Sequence, residues 1–396
     1  MTGTVAPVAA ADRIQDGVYF RSGQRPGFCY RLLLLNVASL TTVAATRQAL
    51  SEVWAMLQRL RDGVVADLQG TRPSDPGAAA TTVPGGDLTV LLGYGARVFD
   101  PNVHTPRLAA VDDKPAELVR LRQHGVGVPF PALPWAPDEL RREGEADLAL
   151  QFIADREVTV NRAVVEVAKL VATSRLPLEL VGVQAGFQRD DGRSWLGFHD
   201  GVNNMPSSQR RIAIEAATAD PAWMQGGTYM AVLRVLVDLP AWQDLTREAQ
   251  ELLVGRHKLT GCPLTSAQPA SESASDCPPA TFRDPPKASD PVLQHSHIHR
   301  ANHNRGAPDT DANNRIFRQG YEFLDWTAGG LRVGLHFVSF QRNLARLTAI
   351  LRLPGWLGDV NFGGPPSAPP PLLSVLSGGL YAVAPSGDPF PGAALL

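Results

Sequence analysis

The sequence predicts an α+β fold built from two ferredoxin-like halves with antiparallel sheets. Three observations predict it. Short apolar runs of strand-like composition alternate with segments whose apolar residues recur every three to four positions. The same order of elements, β-α-β-β-α-β, is met twice along the chain. The 396 residues, 44% of them hydrophobic, exceed the needs of one typical domain and suffice for a sizeable core. The expected halves are 1–215 and 216–396.

In the first half, Tyr30 to Val37 reads as a strand. A helix follows over Thr42–Arg61, with Val43, Leu50, Val53, Trp54, Leu57 and Leu60 at helical spacing. Asp87 to Tyr94 and Asp147 to Ile153 are the next strands. Asp155–Val171 repeats Val160, Val164, Val167 and Val171 on one helical face, and Leu178 to Phe187 closes the half. The second half opens on Gly227-Thr228-Tyr229, a strand running to Val237. Asp238 and Pro240 are start signals for a helix carrying Trp242, Leu245, Ala249 and Leu252, stopped by Gly255. A strand through the histidines at 295–299 comes next, then Leu331–Phe340, a helix near Arg342–Leu351 ended by Pro354, and a last strand at Gly379–Ala384. Two such sheets leave room for a ligand between them. Gly70–Gly86 and Gly363–Pro371 read as loops, and the polar stretch Cys262–Pro291 as a surface segment beside the histidines.

Totals exclude several classes. With 37 basic against 39 acidic residues, the formal charge of −2 carries no nucleic-acid footprint. No uncharged apolar run reaches the ~18 residues of a membrane span. Met1 to Asp12 has neither a secretory pattern nor a twin arginine. Three cysteines cannot form a disulfide framework, although Cys262 and Cys277 could pair, and this fits a reducing compartment. A cytoplasmic protein is expected.

Chemistry concentrates in three places. His295-Ser296-His297-Ile298-His299 uses three of only nine histidines at alternating positions, which a strand would send to one face. Imidazole is the commonest metal ligand and the usual axial ligand of peroxidase haem. A single metal held by His295, His297 and His299 is one reading, and a solvated polar face is another. Gly197-Phe198-His199-Asp200-Gly201 is a sharp turn that either thrusts one carboxylate into a cavity or is an ordinary Asp-Gly turn. Arg318, in an Arg318-Gln319-Gly320-Tyr321 turn, either steadies an anion or pairs with a surface carboxylate. Leu335 and Phe337 alternate on the next strand, as an apolar wall or as core.

These segments, in order, resemble the dye-decolourising peroxidases. Asp147-Leu148-Ala149-Leu150-Gln151 is similar to that family's D-L-x-L-Q strand. Gly197–Gly201 fits G-x-x-D-G, and Gly227-Thr228-Tyr229 fits G-[ST]-Y. Gly255-Arg256-His257-Lys258 with Gly261, Pro263 and Leu264 resembles G-R-x-K-x-x-G-x-P-L. His297-Ile298 with Ala301-Asn302 resembles H-I-R-x-A-N, and Arg318 with Gly320-Tyr321 resembles R-R-G-Y.

The resemblance implies the dimeric α/β-barrel type of fold, with haem b between the sheet and the helices of the second half. It implies a haem peroxidase reducing hydrogen peroxide and oxidising an organic donor through a ferryl intermediate. His297 is then the iron ligand, Asp200 the distal proton carrier and Arg318 the distal cation. Leu335 and Phe337 line the distal pocket, and His299 and Arg300 lie where the family's motif meets the cofactor. A haem-handling protein or a tailoring oxygenase is the alternative, and homo-oligomerisation is open. Trp326 and Tyr321 are relay candidates for bulky donors, against plain packing. The chain departs from the pattern at His299, where the family has arginine, at His303-Asn304-Arg305, where it has Pro-Arg, and at Gly320, where one branch has asparagine.

Overall fold

The computed structural model describes residues 15–18, 27–64, 74, 87–118, 144–202, 204, 214–216, 220–265, 277, 289–301, 315–351 and 372–396. The expected loops at 70–86 and 363–371, most of 262–291, and the departures at 303–305 lie outside these residues.

In the first half, β1 (Cys29–Val37) is followed by α1 (Val43–Arg61), β2 (Thr89–Gly95), β3 (Leu148–Ala154), α2 (Glu157–Thr173) and β4 (Leu178–Phe187). Thr42 caps α1, its side chain accepting the Ala45 N–H, and Arg59 and Arg61 sit in the last turn, where cations complement the helix dipole. Ala49, Leu50, Val53, Met56, Leu57 and Leu60 form the buried stripe of α1. Each such leucine contributes roughly 2 kcal/mol by leaving water.

The second half runs β5 (Thr228–Val237), α3 (Leu239–Gln243), α4 (Arg247–Val254), α5 (Pro291–Gln294), α6 (His297–Arg300), β6 (Phe317–Thr327), β7 (Gly330–Gln341), α7 (Leu344–Leu351) and β8 (Leu373–Val383). Three expectations change here. The single helix after Asp238 is two, because Thr246 supplies a second cap to the Ala249 N–H. The histidine segment is helical rather than a strand: Asp290 caps α5 and Ser296 stands at the N-cap of α6. The Arg318–Tyr321 stretch is not a turn but part of strand β6.

The eight strands among the described residues form one closed barrel in the order β1-β3-β2-β8-β5-β7-β6-β4. Within each half the order is therefore fourth-first-third-second, and the halves join edge to edge. β2 meets β8 through Tyr94–Ala382 and Gly95–Tyr381, and β4 meets β6 through Phe187–Glu322. This corrects the expectation of a ligand between two sheets. The interior is filled by Tyr30, Leu32, Leu91, Met230, Val232, Tyr321, Val338 and Tyr381, as small eight-stranded barrels require. A second apolar cluster lies outside the barrel, where Leu33, Leu35, Leu92, Leu150 and Leu233 meet the helices. Alternation along the strands thus assigns one face to the barrel and the other to the helices. No helix among the described residues is long and apolar enough to cross a membrane.

Candidate active site

β6 and β7 place the candidate residues by register. Phe317 and Tyr321 of β6 point into the barrel, so Arg318, Gly320 and Glu322 point to the helix side. Gly320 is paired with Phe337 and Glu322 with Leu335, and directly opposed residues share a face. Arg318, Leu335 and Phe337 therefore stand together on one face of one hairpin.

Asp200 arrives there from the other half. Past β4 the chain turns through Gly197 and Gly201, with φ of +84° and +69°, values a side chain at either position would resist. The Asp200 N–H donates to Gly192 O at 3.0 Å, and the Gly201 N–H donates to Asp200 Oδ1 at 2.7 Å. Phe198 is buried edge-on to Trp242 of α3, ring centres 6.2 Å apart. Several bonds tie this loop to β6. Gln188 Nε2 donates to Gly320 O at 3.1 Å, and the Trp195 N–H donates to Glu322 Oε1 at 3.2 Å. Asn204 donates to Arg318 O at 2.6 Å and accepts the Arg318 N–H at 3.1 Å. The result sets Asp200 over Gly320, where a Cβ would lie 2.6 Å from Asp200 Oδ2. The absence of a side chain at 320 makes the space that the carboxylate occupies.

Arg193 joins this loop to the segment after α4. Its guanidinium donates to Gly197 O (2.8 Å), Lys258 O (2.6 Å) and Leu259 O (3.0 Å) and lies 2.9 Å from His199 Nε2. His199 thus belongs to the loop's scaffold.

The facing wall is helical. Gly255, which ends α4, packs so closely on the segment before α6 that a Cβ there would lie 2.5 Å from Ser296 Oγ and 2.8 Å from Ile298 Cγ1. His297 follows at the start of α6, with Nδ1 closed off from solvent. Burial first, then the positive charges of Arg318 and Arg256, push its pKa down to about 3. The imidazole is neutral near pH 7, the state in which nitrogen binds a metal. The charge of Arg318 is felt at His297, so the two residues lie near one another.

The other histidines do not gather. At about 100° per residue a helix turns positions two apart to opposite sides, and His295 precedes α6 altogether. It is exposed, with Nδ1 2.6 Å from Arg300 Nη2. Among the described residues no three His, Cys, Asp or Glu side chains form a metal-holding group. The three-histidine metal site is thereby overturned. Tyr321 is fully buried in the barrel, stacked on Tyr30 at 4.6 Å. Trp326 is 80% exposed at the far end of the hairpin, so packing does not account for it.

Sequence reasoning missed Glu322. Its alternation with Arg318 and Gly320 was the available signal, hidden by reading the segment as a turn. It is buried, and burial together with the nearby Asp200 charge lifts its pKa to about 8, against the Trp195 N–H and Arg189, which lower it.

Fold and site together define a duplicated ferredoxin-like barrel that carries Arg318 and Asp200 on the helix side of β6 and a neutral His297 that feels the charge of Arg318. Residues 191–359 match the family model described as Dyp-type peroxidase, C-terminal. A deferrochelatase of Shigella flexneri is 28% identical over 306 residues, 72% of this chain and 65% of that protein. A dye-decolorizing peroxidase of Thermobifida fusca is 27% identical over 296 residues, 70% of this chain and 62% of that one. The matched part thus spans less than two thirds of these curated relatives. The crystal structure of a DyP-type peroxidase from Cellulomonas bogoriensis superposes with a TM-score of 0.68 at 23% identity, covering 98% of this chain and 99% of its own. Over residues 191–359 the chain is thus similar to the C-terminal part of Dyp-type peroxidases, and its fold is theirs.

Proposed function

We propose that this protein is a haem peroxidase that consumes hydrogen peroxide and oxidises an organic donor, with haem b held in the cleft between α6 and the β6–β7 hairpin. What supports this reading is Asp200 set over Gly320 on the face of β6 that carries Arg318, with a neutral His297 within reach of the Arg318 charge. That donor set suits a haem, with one nitrogen ligand on one side and a proton carrier and a cation on the other. In this proposal the half 1–215 supplies Asp200, and the half 216–396 supplies His297, Arg318, Leu335 and Phe337. His299 and Arg300 would lie at the cofactor's edge.

Bound there, haem would supply an iron centre at which peroxide is activated. Asp200 would take a proton from one peroxide oxygen and return it to the other, at Oδ2, since Oδ1 accepts the Gly201 N–H. Proton carriage of this kind contributes about 10²- to 10⁴-fold. Arg318 would hold the negative charge that develops as the O–O bond breaks. Leu335 and Phe337 would keep bulk water from that charge, which strengthens its interaction with the guanidinium.

The test is an absorption spectrum of the purified protein loaded with haem, before and after peroxide. A Soret band that shifts on peroxide and recovers with donor is expected, and a protein that retains no haem refutes the proposal. One observation favours a second reading, haem handling: a matched relative is named deferrochelatase. Firm haem retention with negligible peroxide turnover and release of iron would select it.

The expected cytoplasmic location loses its support from cysteine, because Cys262 and Cys277 form a disulfide. Such bonds persist in oxidising surroundings. Thiol labelling of the protein taken from intact cells would decide the compartment.

A further inference from the structure

Glu322 has no part in the mechanism above, yet it adjoins the proton carrier. It lies two strand positions beyond Gly320 and four beyond Arg318, on their face of β6. Only 4% of it is exposed, whereas Asp200 is open to the cleft. Its cross-strand neighbours, Leu335 and Phe187, are apolar. The charged groups acting on it are Asp200 and Arg189, the latter already paired with Asp191. One oxygen of Glu322 accepts the Trp195 N–H at 3.2 Å. The same loop therefore holds both carboxyl groups, Glu322 through Trp195 inside the protein and Asp200 five residues after Trp195 at the surface. The Asp200 charge disfavours ionisation of Glu322, which favours a proton on the buried carboxyl.

We propose that Glu322 is a positioning residue that keeps one proton behind Asp200 and passes it to the Asp200 carboxylate when that group has given its own away. In this step the O–H bond of Glu322 breaks and one on Asp200 forms. The negative charge moves to Glu322, where the Trp195 N–H and Arg189 stabilise it, and the proton later returns or is replaced from solvent through Asp200. The pair adds no atoms to the reaction. It sets how often Asp200 is ready. The inference deepens the peroxidase reading of the cleft and rests on it.

Infrared difference spectra across a pH titration, on cofactor-free and haem-loaded protein, read the pair without turnover. Wild type should lose a carboxylic C=O band as the pH rises through about 8. Glu322→Gln should lack that band, and Glu322→Asp should restore one. In stopped flow, the wild-type rate with peroxide should fall above that same pH. The Gln variant should be slower by about 10-fold near neutrality and flat across that range, and the Asp variant should recover the slope. Absence of a titrating carboxylic band in wild type, or a Glu322→Gln profile that overlies wild type, would overturn this role alone. Wild type that binds no haem or ignores peroxide would overturn the reading beneath, and the role with it. The infrared result on wild type needs no variant to fold.

Discussion

The two halves of the barrel repeat one another in topology and differ in what covers them. In the first, α1 and α2 are 19 and 17 residues long and share an apolar cluster with Val90, Leu92 and Tyr94 on the outer face of β2. In the second, the helices among the described residues between β5 and β6 are 5, 8, 4 and 4 residues long. The outer face of β6, the strand equivalent to β2, carries Arg318, Gly320 and Glu322 instead. One repeat spends its helix-side face on packing. The other, among the described residues, carries short helices and sets a few charged groups beside the apolar Leu335 and Phe337, the make-up of a ligand pocket. The departure from the repeat therefore locates the site better than any single motif does.

The sharpest way to break this comparison is to remove the histidine on the fragmented helix. His297→Ala should abolish haem retention, seen as loss of the Soret band after desalting, while far-ultraviolet circular dichroism stays near wild type. Leu57→Ala, made in the covered half, should cost about 2–5 kcal/mol of stability in chemical denaturation and leave the haem spectrum unchanged. If the two variants traded phenotypes, the halves would not be divided as packing and site.

Substitutions on the distal face should have smaller and more selective effects. Asp200→Ala and Arg318→Ala should each slow the reaction with peroxide by about 10²- to 10³-fold while haem is retained. Gly320→Ala sharpens the comparison further. Its new methyl would meet Asp200 Oδ2 at 2.6 Å, and a mobile carboxylate tip can swing away. The expected loss is about 10- to 100-fold in stopped flow, the effect of displacing a reacting group by roughly an ångström. An unchanged rate would mean that Asp200 does not work from this position.

How much of this was legible in the sequence follows from which physical signals are local. Strands β1 to β3 of the first half announce themselves as short, continuously buried apolar runs and its two long helices through period-3.6 burial, and both helices fall close to where they were expected. The second half misled in two places. Alternating histidines imitate a strand, while the stronger cues are the caps Asp290 and Ser296 and Pro291 at the first helical position. Gly320 imitates a turn, but it is a strand residue without a side chain because a carboxylate from the other half occupies that space. No local pattern encodes such a long-range demand. Asp200, His297 and Arg318 are the candidates that motif order supplies. Glu322 was not, since its meaning depends on what the loop after β4 lays over it.

The gentlest test concerns the burial of that carboxyl. Glu322 has an ordinary pKa of 4.5 and one of about 8 in the folded protein. Folding thus favours its protonated form. The stability this contributes is complete below pH 4.5 and is lost as the pH rises through about 8, because above that the folded state must bury a charge beside Asp200. Glu322→Gln is neutral at every pH and still accepts the Trp195 N–H. Its denaturation midpoint should therefore match wild type in acid and exceed it above pH 8, by an amount on the order of a few kcal/mol. The equivalent outer face of the first half bears Val90 and Leu92, so Leu92→Ala should lower stability by a similar amount at all pH values. A wild-type and Glu322→Gln pair whose difference did not change with pH would show that Glu322 is ionised at no cost, and the polar face of β6 would then be solvated rather than closed.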